Sequence, residues 1–223
     1  SKWDPNNREK YIGTEEQWDE AQGAMKNILD HLGLEYKEGI GEAAFYGPKL
    51  DIQIKNVFGK EDTLITIQID QMLAQKFGME YVDKDGTKKN PYIIHRTSIG
   101  CYERTLALLI EKYAGAFPLW LAPVQVKVLP ISENEIEYAK EIEEKLMGLG
   151  YRVETNLSDE KIGYKIREAQ LEKVPYMIIL GKNETENKNI SVRARDGEKL
   201  DGINIDEFIS KLKEEIDNSF IVE

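Results

Sequence analysis

The sequence predicts two domains in tandem: an α+β unit built on antiparallel sheet over residues 1–117, then an α/β unit with a mixed sheet over 118–223. Three observations predict this. In the first half, apolar residues alternate with polar ones in two successive runs, Leu50, Ile52, Ile54 and then Ile65, Ile67, Ile69, as in the strands of a half-exposed antiparallel sheet. From Val124 onward, short apolar runs alternate instead with stretches of helical period, the order that builds strand–helix–strand units. Between the halves, Pro118 and Pro123 bracket a short connection holding Trp120, which marks a rigid boundary at about 118–123.

Taken in order, residues 1–13 are polar, with a turn cluster at Pro5, Asn6 and Asn7, and read as a loop or connection. Thr14 and Gln17 form a capping box opening a helix whose apolar stripe is Trp18, Ala21, Met25, Ile28, Leu29 and Leu32, closed by Gly33. His31 lies near its end, where a cation is favourable against the helix dipole. After the two alternating strands, Tyr81 and Val82, the turn at 83–86 and the run Pro91–His95 read as a hairpin. Its second strand, Tyr92 to Ile94, delivers His95 and Arg96 to a turn ending at Gly100. A helix follows, with Glu103 and Arg104 early in it, a stripe of Tyr102, Leu106, Leu109, Ile110 and Tyr113, and Gly115 as its stop.

In the second half, strand Gln125–Leu129 precedes a capping box at Ser132 and Glu135 and a helix with Ile136, Ala139, Ile142 and Leu146 inward. Strand Tyr151–Glu154, helix Lys161–Glu172, strand Tyr176–Leu180, strand Asn189–Arg195, a turn at Asp196 and Gly197, and a final helix through Phe208, Ile209, Leu212 and Ile216 complete the chain. Lys161, Lys165 and Arg167 fall on one helix and Arg193 and Arg195 on one strand face, a pattern that belongs to a solvated face unless a ligand claims it.

Composition narrows the function classes. No apolar run is long enough to span a membrane and the start of the chain lacks a signal-peptide pattern, so a cytoplasmic protein is expected. One cysteine, Cys101, excludes an internal disulfide framework, and with two histidines the chain cannot close a zinc site from Cys and His alone. A net charge of −11 argues against indiscriminate coating of nucleic acid while leaving room for a local basic face. The junction Thr97–Arg104 suits a nucleotide: backbone N–H groups at a helix start favour anions, a guanidinium clamps a phosphate, and Gly100 permits close backbone approach.

The words IHRTSIGCYERTLALL at 94–109, GEAAFYGPKLDI at 41–52, TIQID at 66–70 and WLAPVQVKVLPI at 120–131 resemble, taken in chain order, the threonyl-tRNA synthetases, a family of class II aminoacyl-tRNA synthetases. The first is similar to their motif 3. The resemblance covers almost the whole chain but only the carboxyl-terminal part of such enzymes, without motif 1, motif 2 or the editing region. It implies a partial class II catalytic core followed by an anticodon-binding domain, and an ATP-dependent activation of threonine, with Mg²⁺, followed by transfer to threonine tRNA. It also implies a homodimer for the complete enzyme, whereas these residues alone are expected to form a monomer or a non-native association, with little or no aminoacylation.

By the same resemblance, Arg104 grips the ATP triphosphate with Thr66 and Gly100 beside it. Gln68 and Tyr46 face the threonine, Lys49 is a candidate near the acceptor end of tRNA, and His95 is one of three zinc ligands whose partners lie outside this chain. Asp159, Arg167, Glu184 and Arg193 become candidates for reading or bracing the anticodon. The chain departs from the usual family pattern at Gln71, Met72, Leu73 and Ala74, at Cys101, Tyr102 and Thr105, and at Asp159, where an asparagine is frequent. Two rivals stand beside this reading: a non-catalytic, synthetase-like RNA-binding or regulatory module, and a histidyl- or prolyl-type relative.

Overall fold

The computed structural model describes residues 1–220 and divides by its own contacts into two compact units, Ser1–Leu108 and Leu109 onward. The first unit opens with a 3-10 turn, Pro5–Lys10, and helix α1, Glu15–His31. Strands β1, Lys49–Lys55, and β2, Glu61–Asp70, precede a short helix α2, Leu73–Lys76. Strands β3, Tyr81–Val82, β4, Lys88–Lys89, and β5, Ile93–Arg96, lead into helix α3, Tyr102–Tyr113, within which the division falls.

The expected capping box is formed: Thr14 Oγ1 accepts from Gln17 N and the Gln17 side chain accepts from Thr14 N. Trp18, Ala21 and Leu29 of the predicted stripe are buried, whereas Ile28 and Leu32 are exposed. Residues 1–13 are not a loose connection. Trp3 and Tyr11 pack with Trp18 and Ala43 as an aromatic cluster, Trp3 stacked on Trp18 at 6.0 Å, and the Trp18 indole N–H donates to Ile12 O at 2.7 Å. Aromatic pairing at this spacing adds to what burial alone supplies.

β1, β2 and β5 form one antiparallel sheet with β2 central. The predicted hairpin is corrected by this pairing. Tyr81–Val82 pairs with Lys88–Lys89, while the strand bearing His95 crosses to β2, where its period-2 pattern matches an open sheet edge. The stripe of α3 is present in sequence but buries none of its residues; Tyr102 and Leu106 are exposed, because a helical period states which side chains share a face, not what covers it.

The second unit is a five-stranded mixed sheet in the order β10-β9-β8-β6-β7. Its elements are β6, Val126–Pro130, α4, Ile136–Gly148, β7, Val153–Thr155, α5, Ile162–Leu171, β8, Tyr176–Leu180, α6, Lys182–Asn187, β9, Ile190–Ala194, β10, Lys199–Ile203, and α7, Ile205–Asn218. β6 runs parallel to both β7 and β8, and β9 returns antiparallel to β8. Strand β10 and helix α6 have no counterpart in the sequence reading: the first is short and polar, the second only six residues long. One continuous core, from Val126 and Val128 through Leu146 and Ile178 to Phe208 and Leu212, fills one side of the sheet, and α5 covers the other, its Ala169 packing with Leu129, Val174 and Met177.

Candidate functional site

Alternation along β2 sends Ile65, Ile67 and Ile69 to one face and Thr66, Gln68 and Asp70 to the other. The register sets Asp51 opposite Thr66, and Lys49 and His95 on either side of Gln68, so three strands present one polar row. Tyr46 reaches this row and donates its phenol O–H to Gln68 Oε1 at 3.0 Å, leaving the Gln68 amide N–H groups to donate elsewhere. Thr66 Oγ1 donates to Asp51 Oδ1 at 2.7 Å, and Lys49 Nζ lies 2.7 Å from Asp51 Oδ2. Burial pushes the Asp51 pKa up, but the bonds from Lys49 and Thr66 outweigh it and hold the carboxyl below its usual range.

Asp70 was not singled out by sequence, although it shares the parity of Thr66 and Gln68. It is 1% exposed; Oδ1 accepts from Met72 N at 2.8 Å and Leu73 N at 2.9 Å, and Oδ2 lies 2.9 Å from His95 Nε2. Burial raises its pKa, yet the Leu73 and Met72 amides and the His95 ring together hold it below the ordinary value. Asp70 thus anchors the turn into α2, which is built from the atypical residues Gln71–Ala74, and orients the His95 ring. Among the described residues no three His, Cys, Asp or Glu side chains converge to hold a metal ion, so His95 offers one donor and not a site.

Arg104 is anchored toward the other end of β2: Nη1 donates to Thr63 O at 2.8 Å while the side chain remains exposed. Gly100 adopts φ +76°, and a Cβ there would sit 2.1 Å from Leu64 O. Leu64 lies at a bulge, since Ile52 pairs with Ile65 but Gln53 with Thr63. Close approach to β2 therefore demands this glycine. The structure brings Tyr46, Lys49, Thr66, Gln68 and His95 together and leaves Arg104 and Gly100 at a separate point along the same strand.

In the second unit, Asp159 lies exposed in the turn between β7 and α5, and Arg167 is exposed on α5. Both Glu184 oxygens are engaged: Oε2 accepts from Gly181 N at 2.9 Å and Oε1 from Ser191 Oγ at 2.8 Å. Burial raises the Glu184 pKa, but Ser191 and Gly181 bring it below its usual value. Ser191 and Arg193 share one face of β9, and the Arg193 side chain forms no hydrogen bond or ion pair among the described residues. Arg195 does not join Arg193 on the strand. It lies beyond β9 and donates to Phe117 O and Lys173 O at 2.9 and 2.8 Å, because the turn after the strand redirects it. Lys165 leaves the basic helix face altogether and is buried, 4% exposed, on the stripe that packs α5 to the sheet.

Residues 7–113 match the family described as tRNA synthetase class II core domain (G, H, P, S and T), and residues 125–215 match the anticodon binding domain. The chain is 59% identical over 218 residues to a threonine–tRNA ligase of Clostridium perfringens, covering 98% of this chain and 34% of that protein. The chain belongs to the threonyl-tRNA synthetase family. A threonine–tRNA ligase of Oceanobacillus iheyensis is 48% identical with the same coverage, so the chain spans about a third of the length of the curated relatives it matches. Among solved structures, the RNA binding domain of threonyl-tRNA synthetase from Cryptosporidium parvum superposes with TM-score 0.80 at 40% identity, covering 92% of this chain and 52% of that one. A putative threonyl-tRNA synthetase from Aeropyrum pernix gives 0.68 at 28% identity, covering 94% and 51%. No helix among the described residues is long and apolar enough to cross a membrane.

Proposed function

We propose that this chain carries part of the machinery of a cytoplasmic threonine–tRNA ligase, contributing the floor of the threonine and ATP sites and the domain that reads the anticodon. The observation that carries the reading is the polar row on β2: Gln68 flanked by Lys49 and His95 with Tyr46 bonded to it, on a chain that also holds Arg104 at the start of the following helix. Gln68 and Tyr46 position the threonine. Arg104, whose guanidinium has N–H groups beyond the one given to Thr63 O, clamps the ATP phosphates with Thr66 and Gly100 nearby.

In the reaction a threonine carboxylate oxygen bonds to the α-phosphorus as the bond to pyrophosphate breaks, and Arg104 balances the charge that develops on the phosphates. Mg²⁺ accompanies ATP. A terminal ribose hydroxyl of threonine tRNA then attacks the threonyl carbonyl and AMP leaves. The residues present do not make a zinc site by themselves; His95 would supply a single imidazole. In the second unit Asp159, Arg167 and Arg193 contact the anticodon, and Glu184 braces Ser191 beside Arg193.

The test is filter binding of the 223-residue chain, at several salt concentrations, to threonine tRNA, to the same tRNA with a changed anticodon, and to an unrelated tRNA. Binding that depends on the anticodon and survives moderate salt is expected; weak binding that ignores the anticodon and vanishes with salt removes the RNA-reading role. A second reading, RNA binding without chemistry by these residues alone, is favoured by one contrast: the second unit has a continuous core while α3 buries nothing. ATP–pyrophosphate exchange separates the two, since anticodon discrimination without exchange is the outcome expected of a binding module.

A further inference from the structure

Lys165 is the one basic side chain of α5 that the fold turns inward. Ile162, Ile166 and Ala169 make the apolar stripe of that helix, and Lys165 lies on it at helical spacing. Its stem runs through this packed layer and its ammonium ends against backbone, donating to Pro130 O at 3.1 Å and Asn156 O at 3.3 Å. No carboxylate pairs with it among the described residues. A buried ammonium without a counter-charge is costly, and an apolar side chain of similar length would fill the same space at lower cost. Packing alone therefore does not account for a lysine here.

What the ammonium holds does. Pro130 ends β6 and Asn156 follows β7, so one cation ties together the carboxyl ends of two parallel strands, beside β8 where the chain direction of the crossovers reverses. In open α/β sheets that is where ligands bind. Asn156 is fixed at three points: its N–H donates to Val128 O at 3.0 Å, its carbonyl accepts from Lys165, and its Oδ1 accepts from Ser158 N and Ser158 Oγ at 3.0 and 2.6 Å. Asp159 directly follows Ser158.

We propose that Lys165 is a positioning residue for RNA recognition: by clamping Asn156 it sets the turn that presents Asp159 to an anticodon base. This rests on the reading of the second unit as the anticodon reader. Lys165 touches no RNA itself; it acts through Asn156 and Ser158.

The test measures the ratio of dissociation constants for anticodon-changed over matched threonine tRNA, in the full chain, for the parent, Lys165→Met and Ser158→Ala. In Lys165→Met the ratio is expected to fall about tenfold, the loss of one aligned base contact, while binding of an unrelated tRNA and the salt slope stay at the parent value. Ser158→Ala alters an exposed side chain, and it is expected to lower the ratio in the same direction, carrying the test should Lys165→Met fail to fold. Amide chemical shifts are expected to change in both variants within residues 156–161. A folded Lys165→Met with the parent ratio overturns the positioning role and leaves the anticodon reading intact. A parent chain with a ratio of one overturns both.

Discussion

Gly47, in the word FYGPK, is the residue on which the β2 row most directly depends. A Cβ placed there would lie 1.6 Å from Ile69 O and 2.8 Å from Ile69 C, both backbone atoms. Reaching even 3.0 Å, below which real contacts essentially do not fall, requires the two segments to part by about 1.4 Å. Hydrogen bonds flank the glycine on both sides, Ile69 N to Pro48 O at 3.1 Å and Gln71 N to Tyr46 O at 2.9 Å. Gly47→Ala strains or breaks both. At about 1 kcal/mol each, with about 1–3 kcal/mol for the overpacking, the cost is about 3–5 kcal/mol. For a domain of this size that lowers the melting temperature by more than about 12 °C.

The assay is thermal unfolding followed by tryptophan fluorescence, since Trp3 and Trp18 both sit in the core of the first unit. Gly23→Ala is the control: it lies inside α1 with nothing within 4 Å of the added carbon, so it is expected to stabilise by about 0.5–1 kcal/mol. A Gly47→Ala chain that melts within about 2 °C of the parent would show that the FYGPK turn is not clamped to β2, and the argument for a preorganised row would fall with it.

Three other outcomes are expected. Asp70→Asn should cost about 2 kcal/mol at neutral pH, because a charged acceptor for three donors is replaced by a neutral one. Folding lowers the Asp70 pKa, so its contribution is in place above the ordinary aspartate value and is lost as pH falls through the folded value; urea midpoints between about pH 3 and 7 should show a flatter acid limb in the variant. Tyr176, which donates to Glu215 Oε2 at 2.6 Å, has its pKa raised first by burial and then by Glu215, so its contribution is present below about pH 10, the ordinary tyrosine value, and fades above it. Tyr176→Phe should flatten that alkaline loss in the same measurement, and an unchanged limb would contradict it. Arg193→Ala should weaken matched threonine tRNA by about 1–3 kcal/mol and lower anticodon discrimination by filter binding; uniform weakening across all tRNAs would make it a phosphate contact instead.

Much of the fold was legible because its causes are local. The capping box at Thr14 and Gln17, the alternation of Leu50–Ile54 and Leu64–Asp70, and the strand–helix order after Val124 each depend on residues a few positions apart, and each appears in the structure. The two elements of the second unit without a counterpart in the sequence, β10 and α6, lack that local signature: Lys199–Ile203 is largely polar, and six residues are too few for a helical stripe. The hairpin expected at 81–95 differs from the structure for a related reason. Two strand signals near one turn say nothing of a third partner, and β5 finds β2, which is earlier in the chain and longer.

By itself the sequence determined the family, through motif words in order, and the chemistry of the residues on offer: Gln68, His95, Arg104 and Arg193 are legible as polar or charged groups in suggestive places. Only the tertiary structure decided which of those groups are free to act. Glu184 and Arg195 look alike as charged surface residues in the sequence, yet the fold engages both with protein atoms, while Arg193 is left without a partner among the described residues. Lys165 reads as one more lysine on a basic helix, and Asp70 as the end of a strand, until packing buries Lys165 against the carbonyls of Pro130 and Asn156 and Asp70 against the His95 ring and the amides of the turn that follows it. The physical reason is that burial and hydrogen-bond satisfaction are set by long-range contacts, whereas periodicity and capping are set by neighbours along the chain.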